Sequence, residues 1–361
     1  MSNKKASGSE ASKANELTPS EFLETAPLLL EQRLPVLCIG EPGIGKSSLF
    51  QQMCRDKGWH YRPQFPVVRE PIDYAGLPSI ITEDGEARAE FLPYGDMEEM
   101  YYCEEDTLFL FDDIGQAKDA TIAPIMQLFL ARELNGQKIS DHAILAGASN
   151  ERGQQAGVSG MITPMSTRFA SIVRLVVSAE DWLKYGMQMD FDTRVLAYIK
   201  HRPDQLHQFK ATRDITKCPI PRTWEHVSQI LKLGIDPTTN YRALRSWICG
   251  AIGDGAGREF SSFIQTVDAL PDPEYVLAHP EDVELPAQNR PDVWYAMCFA
   301  LAHTVKPRTA DAFFKFMERL PSNWQVLCVY SATDRNKALM KTDAFGAWMV
   351  ENGDLVQRNA A

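Results

Sequence analysis

The residues from Gly40 to Ser47 read GEPGIGKS, which fits the pattern G-x-x-x-x-G-K-[ST] of a phosphate-binding loop. The apolar run LPVLCI precedes the motif and the helix-like segment SSLFQQMCRDKG follows it, which is the context that such a loop requires. A chain that carries the motif must fold so that a buried strand and a helix meet at the loop. The motif therefore predicts an α/β domain, whereas the plainer alternative is a glycine-rich turn before a helix.

The loop also predicts which atoms bind phosphate. Its glycines allow main-chain N–H groups to turn inward, and the following helix adds the positive end of its dipole. We expect Lys46 to reach the β- and γ-phosphates of ATP and the Ser47 hydroxyl to bind Mg²⁺. The nucleotide-binding residues predicted from the motif are Gly40, Glu41, Pro42, Gly43, Ile44, Gly45, Lys46, Ser47 and Ser48.

A second motif, TLFLFDDIGQA, places two carboxylates at the end of an apolar strand. Adjacent negative charges at the edge of a core repel each other, so a nearby cation is expected. In ATPases with a phosphate-binding loop, an acidic residue at the end of a buried strand holds Mg²⁺, and Asp112 fits that position. We expect Asp113 to act on water as the general base. A helix N-cap or an indirect contact to the metal is the alternative for Asp113.

Short apolar runs alternate with helical patterns from residue 21 to about residue 177, which predicts a parallel sheet covered by helices on both faces. The five predicted strands are residues 35–39, 65–69, 108–111, 143–148 and 172–177. The helical patterns between them include residues 46–57 and 119–133.

Strand patterns disappear beyond residue 178, and apolar residues spaced three and four apart predict helices instead. These helices are expected at residues 193–201, 222–233, 241–252, 293–303, 309–319 and 323–331, with a proline-rich extended connector at 270–291. We predict a flexible N-terminus (1–20), an α/β ATPase domain (21–177), a helical lid (178–250) and a C-terminal helical extension (251–361).

Composition narrows the class of protein further. A net charge of −11 disfavours nonspecific binding to nucleic acid or anionic membranes over the whole surface, although it leaves room for a local basic channel. No apolar run approaches the roughly 20 residues that cross a bilayer, and the polar N-terminus lacks the pattern of a secretory signal. Seven cysteines without paired spacing argue against a disulfide framework, so we predict a cytoplasmic protein.

The motifs together resemble those of AAA+ ATPases, in which GEPGIGKS, LFLFDDIGQA, ILAGASN, MSTRF and IPRTW occur in this order. The segments REPIDYAGLPS and EARAEFLPYGDM are similar to the insertion of the MoxR-like branch, where a β-hairpin precedes the acidic strand. The resemblance covers residues 21–235, and the tail loosely resembles the helical ends of MoxR-like and phage-encoded AAA proteins. It implies a P-loop NTPase (AAA+) fold with a five-stranded parallel sheet.

The resemblance implies roles for three more residues. Asn150 matches the polar sensor that orients the attacking water. Arg168 matches the arginine finger that reaches the ATP of a neighbouring subunit, and Arg222 matches the lid arginine that contacts the γ-phosphate. This chain departs from the family in having Thr167 where Asp often precedes the finger, and Asp113 where Glu is more usual.

Each of these assignments has a plainer alternative. Asn150 could be a turn residue, Arg168 part of a surface ion pair, and Arg222 simply the start of a helix. Arg152 and Arg174 are further candidates for a phosphate-facing or interface role.

At the level of function, the resemblance implies ATP hydrolysis with Mg²⁺ in a ring, expected to be a hexamer, that remodels a partner protein in a chaperone-like manner. That partner often carries a von Willebrand A-type domain. In AAA+ rings the hairpin, here with Tyr74, Leu77, Phe91, Leu92 and Tyr94, projects toward the pore or a partner, while packing on its own domain is the simpler expectation for Phe91 and Leu92. Two alternatives remain open: a nucleic-acid motor, and a nucleotide-gated scaffold with little turnover.

Overall fold

The computed structural model describes residues 14–359 except 84–85, 152–162, 211–213, 237–238 and 269. The chain forms two compact units, Met1–Ser178 and Ala179–Ala361, which are described separately. The flexible N-terminus predicted for residues 1–20 lies mostly outside the described residues. In the part of the chain that is described, no helix is long and apolar enough to cross a membrane.

The first unit is built on a parallel sheet. Its strands and helices are β1 (Glu16–Leu17), α1 (Pro19–Glu31), β2 (Val36–Gly40), α2 (Lys46–Lys57), β3 (His60–Gln64), α3 (Pro71–Ala75), β4 (Leu77–Glu83), β5 (Glu86–Leu92), α4 (Asp96–Tyr102), β6 (Thr107–Phe111), α5 (Asp119–Ala131), β7 (Glu133–Leu134), β8 (Gln137–Lys138), β9 (Ala143–Asn150), α6 (Thr163–Ser166) and β10 (Ser171–Leu175). Short 3-10 helices occur at Pro66–Val68 and Ile114–Gln116. The main sheet has the order β1-β10-β2-β9-β6-β3, and all its pairings are parallel.

Both faces of this sheet are buried, as the continuous apolar runs predict. In β6, Leu108 and Leu110 pack on the side of Phe22 and Phe50 from α1 and α2. The alternate residues of the same strand, Phe109 and Phe111, pack on the other side with apolar side chains of α5. The predicted fold class, a P-loop α/β sheet followed by a helical region, is confirmed.

The second predicted strand is wrong in position. Residues 65–69 hold the 3-10 helix Pro66–Val68, and the strand is β3, His60–Gln64. Pro66 has no N–H to give to a ladder, so it starts a helical turn instead. Strand β3 lies at the edge of the sheet and is partly exposed, so its sequence lacks the continuous apolar run that is typical of a central strand. The two-residue edge strand β1 raises the count from the predicted five strands to six.

Strands β4 and β5 form an antiparallel hairpin of their own, at the place where the resemblance implies one. Its paired positions Pro78–Phe91, Ile80–Ala89 and Thr82–Ala87 share one face, because alternate side chains of a strand point the same way. All six side chains on this face are exposed, with Ile80 at 77% and Phe91 at 44%. Phe91 and Leu92, for which packing on their own domain is the simpler expectation, pack there in part, since Leu92 is also 38% exposed.

Two other residues of the hairpin region are held within the first unit. Tyr74 is 1% exposed, and its ring lies 5.9 Å from that of Phe111, so it belongs to the core. The Tyr94 hydroxyl donates to Asp73 at 2.5 Å. The apolar surface of the hairpin therefore comes from its strands and not from these two tyrosines.

Helices alone make up the regular structure described in the second unit. They are α7 (Ala179–Gln188), α8 (Thr193–His201), α9 (Pro221–Lys232), α10 (Tyr241–Ile252), α11 (Asp254–Asp268), α12 (Pro273–Ala278), α13 (Pro291–Thr304), α14 (Ala310–Met317), α15 (Ser322–Arg335) and α16 (Asp343–Asn359), with 3-10 helices at Pro203–Gln205, Pro307–Thr309 and Lys337–Lys341. Patterns of three- and four-residue spacing predicted most of them. The connector at 270–291 is not wholly extended, because Asp272 caps the short helix α12 by accepting from the N–H of Glu274. The division into lid and extension at residue 250 stays a prediction.

Candidate functional site

Two glycines of the loop adopt backbone conformations that other residues rarely take. Gly43 has φ 74° and Gly45 has φ 103°, both in the left-handed region. Gly40 matters for a different reason: a Cβ there would lie 2.5 Å from Cδ1 of Ile44 and 3.1 Å from the carbonyl oxygen of Leu175. The loop conformation therefore depends on glycine for its turns and for its close approach to β10.

Lys46 opens α2 and turns its ammonium group back into the loop. Its Nζ donates to the carbonyl oxygens of Gly40 and Glu41, each at 3.0 Å, and to Oδ1 of Asn150 at 2.8 Å. The residue is only 7% exposed, and a buried ammonium group is stable only where such acceptors surround it. The charge of Lys46 thus lies at the centre of the loop.

The side chains of Ser47 and Asp112 are in contact at the carboxyl edge of the sheet. The Ser47 hydroxyl donates to Oδ2 of Asp112 at 2.6 Å. Asp112 follows the fully buried strand β6, and its own N–H donates to the carbonyl oxygen of Gln64 at 2.8 Å, which fixes the backbone at this point. A hydroxyl and a carboxylate oxygen side by side are the type of ligand that Mg²⁺ prefers.

Asp113 has a left-handed backbone, with φ 52°, directly after Asp112. It occupies the N-cap position of the 3-10 helix Ile114–Gln116, but its side chain makes no capping hydrogen bond there. Instead, its Oδ1 accepts from Nδ2 of Asn150 at 2.9 Å. The carboxylate is therefore directed to the site and not to the helix, which disfavours the N-cap alternative.

Asn150 joins the two sides of this arrangement. It is the last residue of β9, and its register partner is Gly40 at the end of β2. The side-chain oxygen accepts from Lys46 while the side-chain nitrogen donates to Asp113, which is a consistent orientation for one amide. Asn150 is therefore not a turn residue.

These residues fit a Mg²⁺-bound nucleoside triphosphate. The N-cap of α2 is Gly45, which has no side chain to cap the start of the helix. A buried ammonium group, a helix start and an oxygen pair suited to Mg²⁺ meet at the carboxyl edge of the parallel sheet, where such folds bind ligands.

Cys38, in the middle of β2, lies behind the loop without taking part in it. The pKa of its thiol is raised to about 12, mainly by burial, while the charge of Lys46 opposes this shift and that of Asp112 adds to it. The thiol therefore stays neutral and acts as a small core residue.

The predicted arginines differ in their surroundings. Arg168 is half-buried, its Nε has no hydrogen-bond partner among the described residues, and one of its other nitrogens donates to the Thr167 hydroxyl at 3.2 Å. Its alternative role in a surface ion pair thus has no carboxylate to support it in the described part of the chain. Arg174, in contrast, pairs with Glu16 at 2.9 Å and with Glu151.

Arg222 lies in the first turn of α9 in the second unit and is exposed. Pro221 occupies the first helical position before it, so the helix-start alternative and a functional role are both compatible with its place. Arg152 lies outside the described residues.

Sequence reasoning missed one residue beside the site. Gln64 ends β3, is 2% exposed, and holds Asp112 through its main-chain carbonyl. Its side-chain nitrogen has no hydrogen-bond partner in the described residues. A polar residue at the carboxyl end of a predicted strand would have identified Gln64 as a candidate. The predicted strand at residues 65–69, however, begins after Gln64.

Comparison with known proteins gives only distant similarity. No protein-family model matches the chain, and no curated protein matches it. Among solved structures, the chain is similar to a point mutant of RuvB from Thermotoga maritima, with a TM-score of 0.40 and 15% identity over 73% of this chain and 76% of that one. A second mutant of the same RuvB gives 0.39 and 16% over 76% and 82%, and a structure titled as the RuvB Holliday junction branch migration motor gives 0.36 and 15% over 73% and 75%. Similarity at this level assigns no function to the chain.

Proposed function

We propose that this protein is an AAA+ ATPase of the MoxR-like type that hydrolyses ATP to ADP and phosphate in a ring and uses the cycle to remodel a partner protein. The observation that carries the proposal is the hydrogen-bonded path from Lys46 through Asn150 to Asp113, beside the contact between Ser47 and Asp112. A glycine-rich turn with a purely structural role would not require these polar side chains to be hydrogen-bonded to one another at the edge of the sheet.

The chain's own residues divide the reaction among them. The loop N–H groups and Lys46 would bind the phosphates, and Ser47 and Asp112 would hold Mg²⁺, which would supply positive charge to neutralise the phosphate oxygens. Asp113 takes the proton of the attacking water, and the Asn150 amide keeps that carboxylate in place.

Asp113 is one methylene shorter than the glutamate that is more usual in the family, by roughly 1.5 Å at most. Its left-handed backbone and its hydrogen bond to Asn150 hold the short side chain in one orientation. In this proposal, a shorter base that is held in one orientation supports ATP turnover. The alternative is a scaffold with little turnover, and a measurement of the rate of ATP hydrolysis distinguishes the two.

A ring completes the site, because Arg168 belongs at the interface between subunits. Its Nε, which lacks a partner in the described chain, and its place shortly before β10 suit a finger that reaches a neighbour's phosphates. Arg222 would contact the γ-phosphate from the helical unit. A hexamer in the cytoplasm is the assembly proposed.

The remodelled partner would bind the apolar face of the hairpin. Ile80 and Phe91 leave apolar surface open on this face, with 77% of Ile80 and 44% of Phe91 exposed. Exposed apolar patches of this kind mark protein interaction sites. This supports a protein partner, for example one with a von Willebrand A-type domain.

Capture of the partner tests this proposal. Asp113→Asn should keep ATP bound and hold the partner in an ATP-dependent pull-down read by mass spectrometry. Adding Ile80→Ser should release that partner, whereas adding Leu28→Ser, which removes a similarly exposed leucine from α1 (61% exposed), should not. Recovery of the protein alone, or of the same proteins with Ile80→Ser, would contradict the remodelling role.

A further inference from the structure

A groove of about 960 Å³ lies within the second unit, between the segment that precedes α9, one side of α10 along its length, and the start of α11. Four cationic side chains line it: Lys217, Arg242, Arg245 and Arg258. Thr216, Ser246 and Tyr241 also line it. Its lining is thus strongly basic, in a chain whose net charge is −11.

Two glycines hold the walls of this groove close together. Gly253, with φ 86°, approaches the Lys217 carbonyl so closely that a Cβ would lie 2.6 Å from that oxygen. A Cβ at Gly257 would lie 2.6 Å from Cα of Cys249, so α11 packs directly on α10. The segment and the two helices that carry the cationic side chains are therefore packed closely against one another through their backbones.

Most of the positive charge in the groove is uncompensated. Arg258 pairs with Asp254 at 3.2 Å. In the described parts of the chain, no carboxylate pairs with Lys217, Arg242 or Arg245. Residues 205–250 carry seven Lys or Arg against three Asp or Glu, the reverse of the balance in the chain as a whole.

We infer that this groove binds the phosphate backbone of a single nucleic-acid strand. Arginine forks, lysine and hydroxyl groups are the side chains that contact phosphate and sugar oxygens, and Tyr241 offers an aromatic face on which a base can stack. The inference goes beyond the proposed function, because binding here requires neither ATP nor turnover. It also confines nucleic-acid contact to one site, in keeping with the acidic charge elsewhere.

Binding of fluorescent single strands of DNA and of RNA, each about 20 nucleotides long and so longer than the site of one binding module, tests the inference. Anisotropy is measured without ATP over a range of salt. With three unpaired cations, the slope of log K against log salt should be about −2, since each phosphate contact contributes about −0.7. Arg242→Gln with Arg245→Gln should reduce the slope to about −0.7, and Arg242→Lys with Arg245→Lys should keep it near about −2.

A second pair of variants separates loss of binding from loss of folding. A Cβ at Gly250 meets nothing within 4 Å, so Gly250→Glu should place a carboxylate in the groove without disturbing packing and should weaken binding at least about tenfold. Gly346→Glu, at an equally open helical glycine outside the groove, should bind like the wild type. Equal binding by Gly250→Glu and Gly346→Glu, no binding by the wild type at low salt, or displacement of the strand by polyglutamate at equal charge would each overturn the inference.

Discussion

Asn150 is the residue on which the geometry of the site depends most. Its amide touches the buried ammonium group of Lys46 with one atom and the Asp113 carboxylate with the other. A residue that could only accept would leave Asp113 without this donor, and one that could only donate would oppose Lys46. The asparagine amide satisfies both at once.

Asn150→Asp tests this bridging role. The variant keeps an acceptor for Lys46 but replaces the donor to Asp113 with a second carboxylate oxygen, which repels the base. We expect kcat to fall by about 10²- to 10³-fold, the usual cost of losing one positioned donor, while ATP affinity changes far less. Steady-state ATPase kinetics with a parallel nucleotide-binding titration measure both. An unchanged kcat would remove Asn150 from the mechanism.

How much of the site could be predicted at this scale depends on the residue. Lys46, Ser47 and Asp112 follow from motif spacing, because a strand, a glycine loop and a helix leave little freedom in where the next side chains lie. The hydrogen bonds of Asn150 do not follow, because they depend on the register of β9 against β2, which no local pattern contains. The same holds for the left-handed backbone of Asp113.

At the scale of elements, the central strands were predictable and the edges were not. β6 and β9 are buried on both faces and appear as apolar runs, whereas β3 and β1 lie at the edges and carry polar residues. The hairpin was implied by resemblance, but the exposure of its apolar face came only from the structure. Whether an edge segment forms a strand depends more on pairing with the neighbouring strand than on its own amino-acid composition.

Asp190 ties the ends of two helices in the second unit. Its carboxylate accepts from Arg335 at the end of α15, at 2.7 Å, and from Lys232 at the end of α9, at 3.0 Å. The hydrogen bonds from Arg335 and then Lys232 lower the pKa of Asp190 below its usual value. The stabilisation is therefore present above the unfolded pKa of about 3.9 and is lost as the pH falls through the lowered folded pKa.

Asp190→Asn should lower the free energy of unfolding at pH 7 by about 0.5 kcal/mol, because the Asp190 side chain is 61% exposed and solvent screens its ion pairs. Asparagine tolerates the left-handed backbone at this position, where φ is 56°. The difference from the wild type should vanish well below about pH 4 in urea titrations that follow the second unit. Asp334→Asn, at an exposed position on α15, should show no loss at either pH, and a loss for Asp190→Asn that is as large in acid as at neutral pH would contradict the ionic explanation.

At the scale of the whole molecule, the residues proposed to be functional divide unequally between the two units. The phosphate-binding loop, the acidic pair, Asn150 and Arg168 belong to Met1–Ser178, whereas Arg222 and the basic groove belong to Ala179–Ala361. The change from strand patterns to helix patterns near residue 178 is visible in the sequence. The assembly is not, since ring contacts depend on surfaces that periodicity does not describe.

Mixing two inactive variants tests the ring. The Arg168→Ala variant retains the general base Asp113 but lacks the arginine finger. The Asp113→Asn variant retains the finger Arg168 but lacks the general base. In a closed ring with head-to-tail interfaces, a one-to-one mixture should form intact sites at about a quarter of its interfaces and recover that share of wild-type turnover. Turnover no higher than the sum of the two separate variants would show that Arg168 does not act between subunits.

The central claim is that one partly buried site, from Lys46 to Asp113, binds and hydrolyses ATP with Mg²⁺. Single-turnover phosphate release and nucleotide binding, measured side by side for the wild type, Lys46→Ala and Asp113→Asn, test it most directly. The account predicts turnover by the wild type, loss of ATP binding by Lys46→Ala, and retained binding with turnover lower by about 10²-fold or more for Asp113→Asn. Intact ATP binding by Lys46→Ala would contradict the site, and negligible turnover by both wild type and Asp113→Asn, with ATP still driving assembly, would replace the motor with a nucleotide-gated scaffold.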